Sequence, residues 1–132
     1  MDLYYTVKEN GQWLPPRNLG PRINTEGHEV FPYVHSSGRL YFSSDGHVGL
    51  GMLDVYYIDN NNGVWESPMN VGYPINTPSD DFGLIMNKEE TFGYFCSNRK
   101  GGTGRTDIYS FKYSIVKVEV LVYDENTNQP IN

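Results

Sequence analysis

Four acidic residues lie in two equivalent connectors of the sequence and are the first candidates for metal chemistry. Glu26 and Glu29 precede one aromatic segment, and Asp80 and Asp81 precede another. Carboxylate oxygens are the ligands that a hard cation such as calcium prefers. The spacing lacks the D-x-D-x-D-G loop of a dedicated calcium site. We therefore predict no metal site and leave calcium binding as an open alternative.

The three histidines and the single cysteine are the next candidates. His28, His35 and His47 fall in three different turns or loops, without the H-x-x-x-H or H-E-x-x-H spacing typical of zinc ligands. Cys96 lies in the apolar run TFGYFCS with no neighbouring base, so we predict that it is a small core residue. In the second segment, the residues aligned with the three histidines are Asp80, Asn87 and Lys100.

Two glycine-rich loops, GLGML (49–53) and GGTGR (101–105), have the composition of phosphate-binding loops. Neither contains Gly-Lys-Ser/Thr, and each lies between predicted strands rather than before a helix. The glycines instead predict tight turns, whose amides Asp45, Asp54 and Asp107 would bind as in Asx turns. The sequence therefore predicts no catalytic and no cofactor-binding residue.

The composition predicts an all-β protein. The 132 residues include no alanine, 14 Gly, 8 Pro, 13 Asn, 11 Tyr, 6 Phe and 2 Trp. Aromatic and turn-forming residues favour strands, and the lack of alanine disfavours helices. The net charge of −6 disfavours a nucleic-acid partner, because phosphate contacts need clustered Lys and Arg. No apolar run approaches the roughly 20 residues of a membrane helix, so we predict no membrane span.

An internal repeat is the strongest pattern in the sequence. Residues 2–25 align without gaps to residues 54–77, at an offset of 52 and with 12 identities in 24 positions. Residues 38–57 align to residues 90–110 at an offset of 53, with one residue inserted near Lys88–Glu90. The identical pairs are Asp2/Asp54, Tyr4/Tyr56, Tyr5/Tyr57, Asn10/Asn62, Gly11/Gly63, Trp13/Trp65, Pro16/Pro68, Asn18/Asn70, Gly20/Gly72 and the triplet Ile-Asn-Thr.

Each repeat is predicted to form four short strands. The Asn-Gly pairs at 10–11 and 62–63 predict tight hairpin turns, because both residue types tolerate positive φ. The fourth strand then carries Trp13 or Trp65. Strands of this length at a period near 50 indicate β-propeller blades of four antiparallel strands, with a single β-sandwich as the alternative. The first three strands are predicted at 29–34, 39–44 and 54–59, again at 81–86, 92–97 and 107–112, and the third strand also at 2–7.

The repeats divide the chain unevenly. We expect half a blade in 1–22, a full blade in 23–74 and a partial blade in 75–113. Residues 114–132 depart from the repeat, and the alternation in VKVEVLV predicts either the missing fourth strand or the start of another domain. Met1 aligns with a position at the end of a glycine-rich loop, so we expect it to be an internal residue of a longer protein.

The segment NLGPRINTEGHEVFPYVHSSGRLYFSSDGHVGLGMLDVYY resembles the TolB-like β-propeller repeat of OmpA-family proteins from Bacteroidetes-type bacteria. The matching features are the N-x-G-x-x-I-N-T connector, the strand ending Phe42-Ser43-Ser44-Asp45-Gly46, and a glycine-rich loop ending at Asp54 or Asp107. The tail VKVEVLVYDENTNQPIN resembles the opening of a carboxypeptidase-regulatory-like β-sandwich. The resemblance implies part of a periplasmic, outer-membrane-associated protein, and some such proteins belong to the type IX secretion apparatus.

Two classes of function fit these patterns. The resemblance favours a non-enzymatic scaffold that binds protein or peptide partners in the cell envelope, other secretion-system components among them. The alternative is a glycoside-hydrolase-like or carbohydrate-binding propeller, which needs paired carboxylates or exposed aromatic residues. The turns NNNGVW and KENGQW lack the S-x-D-x-G-x-x-W pattern often found in the hydrolytic class.

Uncovered sheet faces predict association. The sheet formed by 2–7 and 12–14 would lack its first two strands, and open strand edges recruit other strands. We therefore expect self-association or association with the remainder of a parent propeller. The aromatic residues expected to lack neighbours are Tyr4, Tyr5, Phe31, Phe42, Tyr56, Phe82 and Phe95.

Overall fold

The computed structural model of the chain describes residues 1–114 and, beyond them, Tyr123, Thr127 and Gln129. Every regular element in this described part is a β-strand, so the predicted all-β class is confirmed. In chain order the strands are β1 (Tyr4–Tyr5), β2 (Lys8–Glu9), β3 (Gln12–Trp13), β4 (Arg17–Asn18), β5 (Glu29–Val34), β6 (Leu40–Ser44), β7 (Asp54–Ile58), β8 (Asn60–Asn61), β9 (Val64–Trp65), β10 (Met69–Asn70), β11 (Asp81–Met86), β12 (Phe92–Ser97) and β13 (Asp107–Lys112).

The strands form small antiparallel sheets. The central sheet has four strands in the order β10-β7-β6-β5, and the last sheet has three in the order β11-β12-β13. The first pair consists of β1 and β4. Two hairpins, β2-β3 and β8-β9, extend from the first pair and from the central sheet. The predicted first, second and third strands of both repeats are present, although β1 is shorter than expected.

The sequence repeat is also a structural repeat. The first pair, β1 and β4, lies one repeat before β7 and β10, and the last sheet repeats β5, β6 and β7. The turn after the first strand shows where the offset changes from 52 to 53. The amide of Gly38 donates to His35, as the amide of Glu90 donates to Asn87. The amide of His35 bonds the carbonyl of Arg39, but that of Asn87 bonds Phe92, so the inserted residue is Thr91.

The fourth strand differs from the prediction. The strand that pairs with β7 is Met69–Asn70, and the tryptophan strand Val64–Trp65 pairs with β8 in a separate hairpin. The same division occurs in the first pair, where Arg17–Asn18 pairs with β1. Pro16 and Pro68 precede these strands, and proline has no N–H to donate to a sheet ladder. The ladder is therefore interrupted between the tryptophan and the true fourth strand.

The central sheet is covered on both faces, and alternation along its strands builds two cores. Leu40, Phe42, Tyr56 and Ile58 face the first pair, where Leu3 and Ile23 complete one core. Tyr41 and Val55 face the last sheet, where Ile75, Leu84 and Phe95 complete the other. The expectation that Phe42, Tyr56 and Phe95 lack neighbours is therefore wrong, since each is at most 4% exposed.

A bulge in the first strand places an aromatic residue in an unusual conformation. The registers of β5 and β11 shift at Val30/Tyr33 and at Phe82/Ile85. Within these bulges Phe31 has a φ of 54° and the aligned Gly83 a φ of 66°. Positive φ is strained for a bulky side chain but not for glycine. The ring of Phe31 stacks on Phe82 at a centroid distance of 4.9 Å, and this contact offsets part of the strain.

Several predictions have other outcomes. Cys96 is free but only half buried, on the side of the last sheet that faces away from the central sheet. The strand predicted within 114–132 lies almost wholly outside the described residues. In the part of the chain that the structure describes, no helix is long and apolar enough to cross a membrane.

Candidate functional site

Two asparagines in the connectors attach each repeat to the one before it. The side-chain oxygen of Asn76 accepts from the amide of Val55 at 2.8 Å, and its amide donates to the carbonyl of Val55 at 2.8 Å. Asn24 makes the same two bonds to Leu3, at 2.8 and 3.0 Å. Each asparagine thus takes the place of a neighbouring strand, and the I-N-T triplet has a structural role.

A second pair of asparagines supports these connectors. Asn18 Oδ1 accepts from Asn24 Nδ2 and from the amide of Gly20, at 2.8 and 2.7 Å. Asn70 Oδ1 accepts the equivalent bonds from Asn76 Nδ2 and the amide of Gly72, both at 2.8 Å. The N-x-G-x-x-I-N-T pattern therefore encodes one hydrogen-bond network that is used twice.

The aspartates at the ends of the glycine-rich loops bind their own loops. Asp54 is fully buried and accepts from the amides of Leu50 and Gly51. Asp107 accepts from the amide of Gly104 at 3.1 Å. Asp2, one repeat earlier, accepts from Asn18 Nδ2 at 2.9 Å. Asp54 and Asp107 thus bind amides of their own loops, but these amides lie three or four residues before the carboxylate and not two residues after it, so the contacts are not Asx turns. The second carboxylate oxygen of Asp54 is buried without a hydrogen-bond partner.

Asp45 binds a different segment from the one predicted. Its carboxylate accepts from the amide of His28 in the preceding connector at 2.6 Å and lies 3.0 Å from His28 Nδ1. The backbone hydrogen bond from His28 lowers the pKa of Asp45 below its ordinary value. Asn98 takes this role in the second repeat, where it accepts from the amide of Asp80 at 2.9 Å. The position therefore needs an acceptor rather than a charge.

The two buried carboxylates at the start of the first strands have unequal partners. Asp81 accepts from Thr77 and, at 2.6 Å, from Arg99 Nη2. Glu29, one repeat earlier, accepts from Thr25 and Ser44, and its second oxygen is buried without a hydrogen-bond partner. No group of three or more potential metal ligands occurs among residues 1–114 and the three described residues beyond them.

Arg99, and not the predicted Lys100, occupies the position of His47. His47 Nε2 donates to the carbonyl of Ile23 at 2.8 Å, and its ring lies against Phe42 and Tyr56. Arg99 donates to the carbonyl of Ile75, and its guanidinium lies 4.8 Å and 5.0 Å from the ring centroids of Phe95 and Tyr109. One residue separates Asp45 from His47, but none separates Asn98 from Arg99. Alignment at a constant offset of 53 therefore pairs His47 with Lys100 instead of Arg99.

The two predicted Asn-Gly turns have the same conformation, but the two repeated tryptophans differ in exposure. Both Asn-Gly pairs adopt positive φ, at 49° and 82° for Asn10-Gly11 and at 52° and 87° for Asn62-Gly63. Trp65 packs against the core between the first pair and the central sheet. Trp13 is 67% exposed, with the ammonium of Lys8 at 5.7 Å from its ring. Only the second tryptophan therefore contributes to packing within the described residues.

A cleft between the central and last sheets is the strongest candidate site. This polar cleft has a volume of about 350 Å³. It opens beside β6, β7 and β10 on one side and beside β11 and the end of β13 on the other. Aromatic hydroxyls and charged groups dominate its surface. The lining residues are Arg39, Tyr41, Tyr57, Asn70, Val71, Met86, Glu90 and Tyr113.

The charges in the polar cleft are paired with one another. Arg39 donates from Nε and Nη2 to both oxygens of Asp59, at 2.8 and 3.2 Å, and Nη1 lies 3.3 Å from Glu90 Oε2. The hydrogen bond to Asp59 raises the pKa of Arg39 above its ordinary value. The guanidinium also lies 4.4 Å from the ring centroid of Tyr57. Arg39 is therefore not a free anion-binding group.

The tyrosines supply the remaining polar chemistry of the cleft. Burial raises the pKa of Tyr41 and of Tyr113, so both phenols stay protonated at neutral and moderately alkaline pH. Protonated phenols donate and accept hydrogen bonds and also offer apolar ring surface. Such groups suit the peptide groups and side chains of a polypeptide better than they suit an isolated ion.

A second cleft occupies the equivalent place one repeat earlier. This apolar cleft, of about 270 Å³, lies between the first pair and the central sheet. Three positions line both clefts at an offset of 52, namely Tyr5/Tyr57, Leu19/Val71 and Val34/Met86. The other lining residues of the apolar cleft are Leu3, Tyr4, Pro32, Leu40 and Trp65. The repeated fold therefore forms a cleft at each of the two junctions, and the lining residues that differ make one cleft polar and the other apolar.

Sequence reasoning did not find the polar cleft. Its members lie up to 74 residues apart, from Arg39 to Tyr113, and only Asn70 and Val71 belong to a recognised motif, the N-x-G-x-x-I-N-T connector. The available signal was that the repeat places Tyr5 and Tyr57 at the same position. No protein-family model, curated protein or solved structure matches this chain.

Proposed function

We propose that this chain is part of a non-enzymatic β-propeller scaffold that binds protein or peptide partners through the polar cleft. The stacking of successive repeat sheets supports the propeller. Each sheet covers a face of the next, and equivalent residues form both contacts. A propeller is an architecture in which repeated antiparallel sheets pack in this way. The likeness to TolB-like repeats is the basis for placing it in an OmpA-family protein of the bacterial cell envelope.

The polar cleft is the observation that carries the binding function. Its charged groups are neutralised internally, while Tyr41, Tyr57 and Tyr113 present hydroxyls and ring surface. Tyrosine is enriched at protein interfaces because it combines contact area with a polar tip. The other polar groups of the repeat, in its connectors and loops, hold the backbone. A binding surface presented by a rigid framework is suited to recognition.

The experiment is selection of random peptides on the immobilised chain, followed by calorimetry with the enriched sequences. We expect Tyr113→Ala to weaken binding about tenfold, as truncation of an interface aromatic often does. Tyr94→Ala is the matched control, because both tyrosines are 44% exposed and each makes an edge contact with a phenylalanine. Tyr94 lies on the far face of the last sheet.

Three results would contradict this proposal. One is the failure of any peptide to bind specifically. Another is equal weakening by the two alanine variants. The third is binding of an oligosaccharide, and of no peptide, in a manner that depends on Tyr113, which would favour the carbohydrate-binding alternative.

A further inference from the structure

The last sheet exposes a face whose counterpart in the central sheet is core. Ile108 has the same register in β13 as Val55 has in β7. Val55 is 1% exposed between the central and last sheets, whereas Ile108 is 75% exposed on the far face of the last sheet, which is turned away from the central sheet. Tyr94 is likewise exposed on the far face, although the equivalent Tyr41 is buried. The far face is therefore an apolar surface of the kind that a following element covers.

The outer edge of β13 is the other half of this surface. At the equivalent edges, β7 pairs with β10 and β1 pairs with β4, and a connector asparagine binds the backbone of Val55 or Leu3. Because the register is the same, the N–H and C=O of Ile108 point to the outer edge as those of Val55 do. Among the described residues, β13 is the edge strand of its sheet. A strand edge of this kind pairs readily with another segment.

The last seven residues of the sequence repeat the connector. The segments NLGPRIN (18–24), NVGYPIN (70–76) and NTNQPIN (126–132) align without gaps. Asn126, Ile131 and Asn132 match both of the other segments, and Pro130 matches the second. In the two described connectors, these three shared positions hold the supporting asparagine, the core isoleucine and the clamping asparagine. The agreement therefore falls on the residues that make the contacts of a connector.

The residue that replaces the connector glycine meets the same backbone requirement. Gly20 and Gly72 have φ of 88° and 74°, and Asn128 stands at their position. Asparagine is one of the few other residue types that adopt positive φ readily, and Asn10 and Asn62 do so in this chain. A Cβ added at either glycine would meet no atom within 4 Å. The position therefore has room for an asparagine side chain.

The chain is long enough to bring this segment back to Ile108. Asn76 follows Val55 by 21 residues, and Asn132 follows Ile108 by 24. In the central sheet the intervening residues form the β8-β9 hairpin and β10. The Asn-Gly pair and the tryptophan, which residues 114–132 lack, belong to that hairpin. A hairpin on the surface tolerates a few additional residues at little cost in free energy.

We propose that residues 126–132 form a third connector, which docks on the outer edge and the far face of the last sheet. Asn132 binds the N–H and C=O of Ile108, and Ile131 packs on the far face. The fourth strand of the last sheet then ends at Asn126, as β10 ends at the equivalent asparagine. This docking surface lies on the opposite side of the last sheet from the polar cleft, so it does not depend on the proposed binding function.

The test is NMR of the whole chain, in which the two described connectors serve as internal references. The side-chain amide hydrogens of Asn24 and Asn76 should show nuclear Overhauser contacts to the backbone amides of Leu3 and Val55. We expect the same contact between Asn132 and Ile108.

Hydrogen exchange adds a measurement by substitution. The amide of Ile108 should exchange about fivefold faster in Asn132→Ala than in the wild type, the effect of losing one hydrogen bond. Gln129→Ala is the matched control, because Gln129 is exposed and stands at the position of Tyr73, which is also exposed. This control should leave the exchange of Ile108 unchanged.

Several outcomes would overturn the proposal. One is an Asn132 side chain without the contact to Ile108 in spectra that show the contacts of Asn24 and Asn76. Another is the same exchange rate of Ile108 in the wild type and in Asn132→Ala, or an equal acceleration in Gln129→Ala. Protection of Ile108 that rises with protein concentration and does not depend on Asn132 would instead place a second copy of the chain on the far face.

Discussion

The junction between the first pair and the central sheet and the junction between the central and last sheets use the same positions for different purposes. At both junctions an asparagine clamps the preceding third strand, and a buried isoleucine from the connector completes the core. The clefts beside these contacts differ. One is lined by Leu40 and Trp65, and the other by Arg39 and Glu90. The connector asparagines and isoleucines therefore position the sheets at both junctions, whereas the cleft-lining residues determine whether a junction is polar or apolar.

The buried carboxylates show a second difference between the repeats. Asp81 is paired with Arg99, whereas Glu29 has His47 in the equivalent position and an oxygen without a partner. A buried carboxylate is stabilised when a cation and hydrogen bonds compensate for lost hydration. The second repeat therefore has the more tightly held connector. Unequal effects of matched substitutions should reveal this difference.

The largest expected effect is that of Arg99→Met. Methionine can still cover Phe95 and Tyr109, but it leaves the fully buried carboxylate of Asp81 without its cation. Breaking a buried ion pair costs about 3 kcal/mol or more in the free energy of unfolding. His47→Met is the matched change, and its loss of one hydrogen bond to Ile23 should cost about 1 kcal/mol. Urea unfolding measures both values, and equal losses would contradict the comparison.

A smaller effect is expected from Asn76→Ala. The substitution leaves the amide of buried Val55 without the acceptor that Asn76 supplies. An unsatisfied buried group costs about 1–3 kcal/mol. Asn24→Ala should cost less, because Asn24 is 7% exposed and Asn76 is fully buried. Thermal and urea unfolding of the two variants would test the order, and a greater loss in Asn24→Ala would reverse it.

The smallest effect is expected from Asp45→Asn. Asn98 already performs the same backbone contact in the second repeat, so the stability near neutral pH should change by less than about 0.5 kcal/mol. Because the folded state lowers the pKa of Asp45, its contribution is present above the unfolded carboxyl pKa and is lost as the pH falls through the folded one. The variant should therefore show a shallower loss of stability in acid. Acid unfolding profiles that coincide with those of the wild type would contradict this expectation.

Much of the fold could be predicted because the signals are local. Alternating apolar residues and flanking turn signals located Glu29–Val34 and Asp107–Lys112 at their observed bounds. The Asn-Gly pairs located the hairpins. The prediction for the fourth strand was wrong because it relied on the repeated tryptophan. The tryptophan pattern does not show that Pro68, which has no N–H for a sheet ladder, separates Trp65 from the strand that pairs with β7.

The candidate site was less predictable because its contacts are long-range. The loops 45–53 and 98–106 have the same length, so alignment pairs His47 with Lys100. In the structure Arg99 takes the place of His47, because the second loop is one residue shorter before this position and one residue longer after it. The contact between His35 and Glu90 joins residues whose repeat counterparts, Asn87 and Gly38, have no such chemistry. The alignment of the repeats therefore predicts the contacts that both repeats make, but it does not predict the contacts of residues that differ between them.

Hydrogen exchange at the amides of Leu3 and Val55 tests most directly the claim that one connector device places each sheet on the preceding one. Both amides donate to an asparagine side chain and to no strand of the described residues. We expect both to be protected in the wild type, and Asn76→Ala to release Val55 while Leu3 stays protected. An amide of Val55 that exchanges as fast as an exposed amide in the wild type, or that stays protected in Asn76→Ala, would contradict the account.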